Sequence, residues 1–353
     1  MPHIEDNEKG PGTFFQSPGR LSRRALMCAG STGFLAAVAA GGPLSGILRA
    51  SEDSKPMNQS SNQPNTEKLP NGGAEDQGYI DAHVHVWTPD TKHYPLTAGY
   101  RREQMQPPSF EPSELLRHAT PCGVDRIVLI QMSFYGFDNR YMLDSMAKHP
   151  GVFSGVAVID DGAKDPAAEM RRLKGLGVRG FRIYPRNMPV DRWLDGQGMK
   201  AMWKCGAAEK LAMCHLVNPV ELPAIDQMCA RNPDTPVVID HFARIGIDGK
   251  IHEKDVRNLV RLARHEQTHV KLSAFYALGK KKPPYKDMLP LIRRLIDAFG
   301  PQRLMWATDC PFQVAGDQTY EQSLAVIRDH LDGISDEDRD WILRRTAAKV
   351  FFG

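Results

Sequence analysis

Tyr79-Ile80-Asp81-Ala82-His83-Val84-His85-Val86 is the stretch on which the fold turns. It is a short apolar run of strand length that ends in two histidines two residues apart. Seven further β-branched or apolar runs follow, at residues 124–131, 152–159, 178–184, 211–217, 236–241, 269–274 and 303–308. Their starts lie about 32 residues apart, room for a strand, a loop, a helix and a second loop. Helical segments fall between them. Residues 112–119 open on Pro112 with Glu114 in the first turn, a helix-start signature. Residues 219–230 also begin at a proline. Residues 255–264 carry Val256, Leu259, Val260, Leu262 and Ala263 on one broad stripe, and residues 285–299 show the same period. A last helix is expected over 336–352, capped by Ser335. Eight such units over residues 79–353 predict an α/β chain folded as a (β/α)8 TIM barrel, with a doubly wound open sheet as the rival.

Composition narrows the function classes. Of 353 residues, 41% are hydrophobic and 25% charged, and the formal net charge is only +3, which suits a soluble body and gives no footprint for nucleic acid. Six cysteines without a C-x-x-C pair exclude a disulfide scaffold and a zinc ribbon.

The front of the chain reads differently. Arg23-Arg24 precede an uncharged, Ala- and Gly-rich stretch from Ala25 to Leu48, so residues 1–50 resemble a twin-arginine export signal. Five glycines weaken the rival reading as a membrane anchor. Residues 51–78 are Ser, Asn, Gln, Pro and Gly without an apolar period, a flexible linker. The expected location is therefore periplasmic or exported, with the twin-arginine translocation machinery as a partner. A small-molecule substrate is the other expected partner, and a homo-oligomer is left open.

In a barrel the C-terminal ends of the strands form the active face. His and Asp collect there. The first run ends in His83 and His85, the fifth in Cys214-His215, the sixth in Asp240-His241 and the eighth in Thr308-Asp309. Alternation puts His83 and His85 on one face, a clamp for a borderline divalent ion such as zinc. One histidine at a strand end is commonly structural; four ends together argue for a site. Arg182 shares a strand face with Gly180 and Tyr184, and an arginine aimed into a barrel mouth can clamp a carboxylate in fork geometry. Arg186 follows just beyond, and Arg244 follows His241. Gln131 and Tyr135 supply neutral polar groups after the second run, and Tyr276 adds an aromatic wall after the seventh.

Four segments in this order resemble the amidohydrolase-related proteins (amidohydrolase family 2) of the amidohydrolase superfamily. They are Ile80-Asp81-Ala82-His83-Val84-His85, Gly177-Val178-Arg179-Gly180-Phe181-Arg182, Val238-Ile239-Asp240-His241-Phe242-Ala243-Arg244 and Met305-Trp306-Ala307-Thr308-Asp309-Cys310-Pro311. The nearest branch holds 2-pyrone-4,6-dicarboxylate lactonase and the sugar lactonases. A neighbouring branch holds metal-dependent non-oxidative decarboxylases of the aminocarboxymuconate-semialdehyde type, which is the alternative function. The resemblance implies His83, His85, His215 and Asp309 as metal positions, with His241 beside the reacting group. It implies one divalent ion, zinc by type, or metal-independent catalysis as in some lactonases. Binuclear members carry a modified lysine at the end of strand four, where this chain has none, so one metal at most is expected. Cys310 stands where a tryptophan is common. The reaction expected is water attack on a lactone carbonyl, with Asp309 taking the proton and His241 donating to the oxyanion; Arg182, Gln131, Tyr135, Arg244 and Tyr276 are the expected substrate-binding residues.

Overall fold

The computed structural model describes residues 78–185 and 190–353. The expected export segment, residues 51–77 of the linker and Arg186 lie outside the described residues.

Strands and helices alternate along the body. They run β1 (Tyr79–Val84), α1 (Pro112–Ala119), β2 (Val124–Ile130), α2 (Arg140–Lys148), β3 (Phe153–Ala157), α3 (Pro166–Lys174), β4 (Val178–Ile183) and α4 (Gln197–Glu209). They continue as β5 (Ala212–His215), α5 (Leu222–Arg231), β6 (Val237–Ile239), α6 (Glu253–Arg261), β7 (Thr268–Leu272), α7 (Leu289–Phe299), β8 (Leu304–Trp306) and α8 (Tyr320–Arg328). A closing segment holds α9 (Asp336–Asp340), a π-helical turn at Trp341–Arg345 and α10 (Thr346–Phe351).

The eight strands pair in parallel in chain order, β1 to β8. The ring closes through the residues just after β8. Asp309 N donates to His83 O at 2.9 Å, and His85 N donates to Cys310 O at 2.8 Å. This is the expected (β/α)8 barrel, and the open sheet is excluded by that seam.

Local signals explain the helix boundaries. Pro112 and Pro166 sit at helix starts, where a missing N–H costs nothing. Asp165, Thr319 and Ser335 accept from the backbone N–H of Ala168, Gln322 and Asp338, and so cap α3, α8 and α9. α4 ends on Lys210 in the left-handed region, a position glycine fills more cheaply.

Two apolar layers hold the barrel. The outer one lies between strands and helices and includes Ile127, Leu129, Phe181, Met213 and Leu272. The inner one fills the ring with Ile80, Ala82, Val128, Val156, Ala212, Cys214, Val238 and Met305, and Ala347 and Phe351 from α10 pack on it. Each fully buried aliphatic side chain contributes about 1.5–3 kcal/mol. Gly180 belongs to this packing, because a Cβ there would press on Ala212 O at 3.0 Å and Cys214 Sγ at 3.1 Å. With one end filled by apolar side chains, polar groups gather at the C-terminal mouth.

Candidate active site

A break in register aims the first histidines. Pairing of β1 with β2 shifts between Asp81 and Val84. Ile80 and Ala82 face the inner core, yet His83 also enters the barrel, while Asp81 turns outward to α8. Asp81 accepts from Thr308 N at 3.0 Å, Thr308 Oγ1 at 2.5 Å, Tyr320 OH at 2.6 Å and His83 N at 3.1 Å. Burial pushes its carboxyl up to about 6 against the pull of those hydrogen bonds. Asp81 thus ties the first strand to the segment that closes the ring.

Four donors converge at the mouth. His83 Nε2 lies 3.3 Å from His85 Nε2 and 3.5 Å from Asp309 Oδ1. His85 Nε2 lies 3.3 Å from Asp309 Oδ1, and His241 Nε2 lies 3.8 Å from Asp309 Oδ2. All four side chains are buried. His85 Nδ1 donates to Ile130 O at 2.8 Å, since a carbonyl only accepts; the neutral ring therefore shows a lone pair at Nε2. His241 Nδ1 meets Ser273 Oγ at 2.8 Å, a hydroxyl that can donate or accept. Tyr276 OH donates to Asp309 Oδ2 at 2.7 Å, while Asp309 Oδ1 has no hydrogen-bond donor among the described residues.

Electrostatics follow from this burial. Desolvation pushes His83 well below its ordinary value, and Lys271 and His241 push it further. Burial also takes His241 down to about 4, outweighing Asp309 and Asp240. Burial would raise Asp309, but His241, His85 and His83 together hold it below the usual carboxylate range. At neutral pH the mouth therefore presents neutral rings at His83 and His241 beside an ionised Asp309.

Strain marks the strand ends. His241, Phe242, Ala243 and Arg244 have φ of 52°, 53°, 53° and 61°, and Asp309 has 68°. Left-handed residues other than glycine are costly and cluster where function fixes them. The turn brings Arg244 to the mouth, where its Nη1 donates to Asn218 Oδ1 at 3.2 Å.

The other expected residues divide. Arg182 joins the cluster, its Nη1 lying 3.4 Å from His85 Nε2. Tyr276 joins it through Asp309. Gln131 donates to Asp138 O at 2.7 Å and braces the loop after β2. Tyr135 is buried, and its hydroxyl accepts from Thr88 N at 3.3 Å. Neither is brought to the cluster. Nor is His215. In β5 Ala212 and Cys214 face inward and Met213 outward, so alternation turns His215 out between Trp193 and Trp203, with ring centroids 5.9 and 5.6 Å away. Neither of its ring nitrogens has a hydrogen-bond partner among the described residues. The fourth donor at the mouth is His241, from the next strand end.

Beneath the cluster lies a pair that the strand-end pattern misses. Lys271 and Asp240 are fully buried, with Nζ 3.1 Å from Oδ1. Lys271 Nζ also lies 3.2 Å from His83 Nδ1. The signal was the strand's parity: His269, Lys271 and Ser273 alternate with Val270 and Leu272, so one face is polar throughout.

The donor set suits one divalent ion. His83, His241 and Asp309 each offer an atom within 4.8 Å of the others. A lone pair on His85 facing an orphaned carboxylate oxygen at 3.3 Å is repulsive until a cation or proton lies between them. Spacings of 3.3–3.8 Å approach the roughly 3.3 Å edge of a tetrahedron built on zinc–ligand bonds of about 2.0–2.1 Å.

Barrel and mouth together bring three histidines and one aspartate to one point at the C-terminal end of the strands. The Amidohydrolase family profile matches residues 80–353, so the chain belongs to the amidohydrolase family. It is similar to the L-fucono-1,5-lactonase of Burkholderia ambifaria, 30% identical over 238 residues that span 66% of this chain and 80% of that protein. It is also similar to the 2-pyrone-4,6-dicarboxylate hydrolase of Comamonas testosteroni, 27% identical over 261 residues covering 70% and 82%. Among solved structures, an amidohydrolase from Burkholderia multivorans with bound zinc superposes with a TM-score of 0.67 at 22% identity, over 78% of this chain and 99% of that one, which shows a shared fold.

Proposed function

We propose that this chain opens a small polar lactone by water attack, with Asp309 as the proton acceptor. One observation carries the reading: Asp309 is held by Tyr276 at Oδ2, has no hydrogen-bond donor at Oδ1 among the described residues, and faces two imidazoles, His83 and His241, that burial keeps neutral. The lactonase and pyrone hydrolase among its relatives support the substrate class.

The chain's own residues account for the steps. Water held against Oδ1 loses its proton to Asp309 as it adds to the carbonyl carbon. Ser273 donating to His241 Nδ1 leaves a proton on Nε2, which can donate to the developing oxyanion. Collapse breaks the ring C–O bond, and Asp309 returns its proton to the leaving alkoxide. Arg182 has a buried Nε–H with no partner among the described residues, which suits a substrate carboxylate or hydroxyl; Arg244 stands at the rim. His83, His85 and Asp309 would hold a single divalent ion, joined by His241 where Ser273 accepts from Nδ1 in place of donating and leaves Nε2 bare. When bound, such an ion lowers the pKa of water and polarises the carbonyl.

The test is to assay the full chain with L-fucono-1,5-lactone and 2-pyrone-4,6-dicarboxylate, following acid release. Turnover of one of them is expected, and Asp309→Asn should lose at least about 10²-fold in kcat with an unchanged melting curve. Release of carbon dioxide in place of ring opening, or an Asp309→Asn variant within about tenfold of the parent, overturns the reading.

A further inference from the structure

Lys271 has no place in the reaction just described, yet it is completely buried and reaches into the site from below. Nζ lies 3.2 Å from His83 Nδ1 and 3.1 Å from Asp240 Oδ1, and sits 5.2 Å from the centre of the Phe351 ring. Asp240 Oδ1 is itself 3.4 Å from His83 Nδ1. His83 Nδ1 thus faces an ammonium, which can only donate, and a carboxylate, which can only accept. The proton on the His83 ring cannot satisfy both.

Lys271 Nζ, with three hydrogens to give, meets His83 Nδ1 at 3.2 Å and Asp240 Oδ1 at 3.1 Å, while Asp240 Oδ1 stands farther from His83 Nδ1, at 3.4 Å. We propose that Lys271 is a positioning residue that decides which nitrogen of His83 carries the proton, and so sets how tightly the mouth takes a divalent ion. With Lys271 donating to Nδ1, the neutral ring carries its proton at Nε2. That proton points toward His85 Nε2, the lone pair fixed by Ile130 O, and toward Asp309 Oδ1. A continuous donor chain then runs Lys271 to His83 to His85 and Asp309, and the orphaned oxygen gains a proton nearby without any ion.

The other tautomer serves a metal. A ligating His83 Nε2 must be bare, so the proton sits on Nδ1 and turns to Asp240, the carboxylate–histidine arrangement that supports metal-bound imidazoles. Lys271 then loses its acceptor on His83 and keeps only Asp240. The ammonium therefore favours the ion-free form, and its removal releases His83 to Asp240. This bears on the same cluster as the lactone-opening proposal, but it needs no substrate, so the two fail separately.

Long-range proton–nitrogen correlation spectra of the chelator-treated full chain, with His83 assigned by comparison with His83→Gln, read the tautomer directly. His83 is expected with its proton on Nε2 and His85 with its proton on Nδ1. Zinc and cobalt affinities, measured by competition with a chromophoric chelator, are expected to tighten about tenfold or more in Lys271→Met, the scale on which groups behind metal ligands act. The His83 proton moves to Nδ1 in the same variant. A His83 proton found on Nδ1 in the parent chain overturns the proposal, whether or not the variant folds. So does a folded Lys271→Met whose affinities stay within twofold. The double variant Lys271→Met/Asp240→Asn, which removes both charges together, is expected to lose the tightening.

Discussion

Single side chains around the mouth act by fixing one atom of a neighbour. Ile130 O fixes the proton of His85, Tyr276 fixes one oxygen of Asp309, and Ser273 orients His241. His215 differs, since both of its nitrogens lie buried without partners and burial pushes the ring down to about 4. Polar atoms buried in this way destabilise, and replacing them with an apolar group of similar size relieves the cost. His215→Leu is therefore expected to keep turnover within about twofold and zinc affinity unchanged, with stability equal to the parent or higher by about 1 kcal/mol in urea titration. Loss of zinc together with activity in that variant would put His215 back among the ligands. Its sequence position, ending an apolar run, looks the same as that of His241. By alternation both would face outward, as Met213 and Ile239 do; the left-handed backbone at His241, φ 52°, takes that ring to the mouth, and the sequence carries no sign of it. Lys271 was hidden for the opposite reason: a lone cation between Val270 and Leu272 reads as surface until the face it shares with His269 and Ser273 is followed.

At the level of elements, the strands were the legible part. Each is a short apolar run between turn residues, and the eight expected runs contain the observed β1 to β8 apart from Thr268, which begins β7 one residue earlier. Helices with a proline start or a wide apolar stripe were equally plain; α1 spans the expected residues. α4 gives a weaker signal, because Gly196 offers no capping side chain and Trp, Met and Cys are scattered through it. The register shift in β1 is invisible in sequence, since it arises from pairing with β2 and from the anchoring of Asp81. The C-terminal end of α4 also allows a measurement. Lys210 is exposed and left-handed at φ 56°. Lys210→Gly removes the steric penalty and is expected to stabilise by about 0.5–1 kcal/mol, read as a higher urea midpoint at the same slope. A lower midpoint would show that the lysine side chain carries contacts worth more than the backbone relief.

The whole molecule carries several histidines that it buries uncharged. His215 and His269 are both pushed down to about 4 by desolvation, against about 6.5 in the unfolded chain. Between those values the unfolded chain binds protons that the folded one refuses, so stability is full above pH 6.5 and falls as pH drops toward 4. Each such group contributes up to about 1.4 kcal/mol per pH unit in that window. Denaturant midpoints at pH 7.5 and 5 should differ clearly, the lower pH being the weaker; equal midpoints would mean that these rings are protonated in the fold.

The seam that shuts the barrel joins residues far apart in the chain. Asp81 is 227 residues from Thr308 and 239 from Tyr320. While the protein is being made, the earliest strand waits with a bare edge until almost the last partner has emerged. Pairings over such distances form slowly, because a long stretch of flexible backbone must be drawn in before any contact rewards it. Asp309, the proposed proton acceptor, arrives with that final partner. A truncated chain ending before Asp309 thus holds its histidines and the Asp240 beneath them, but not the carboxylate that closes the mouth from above.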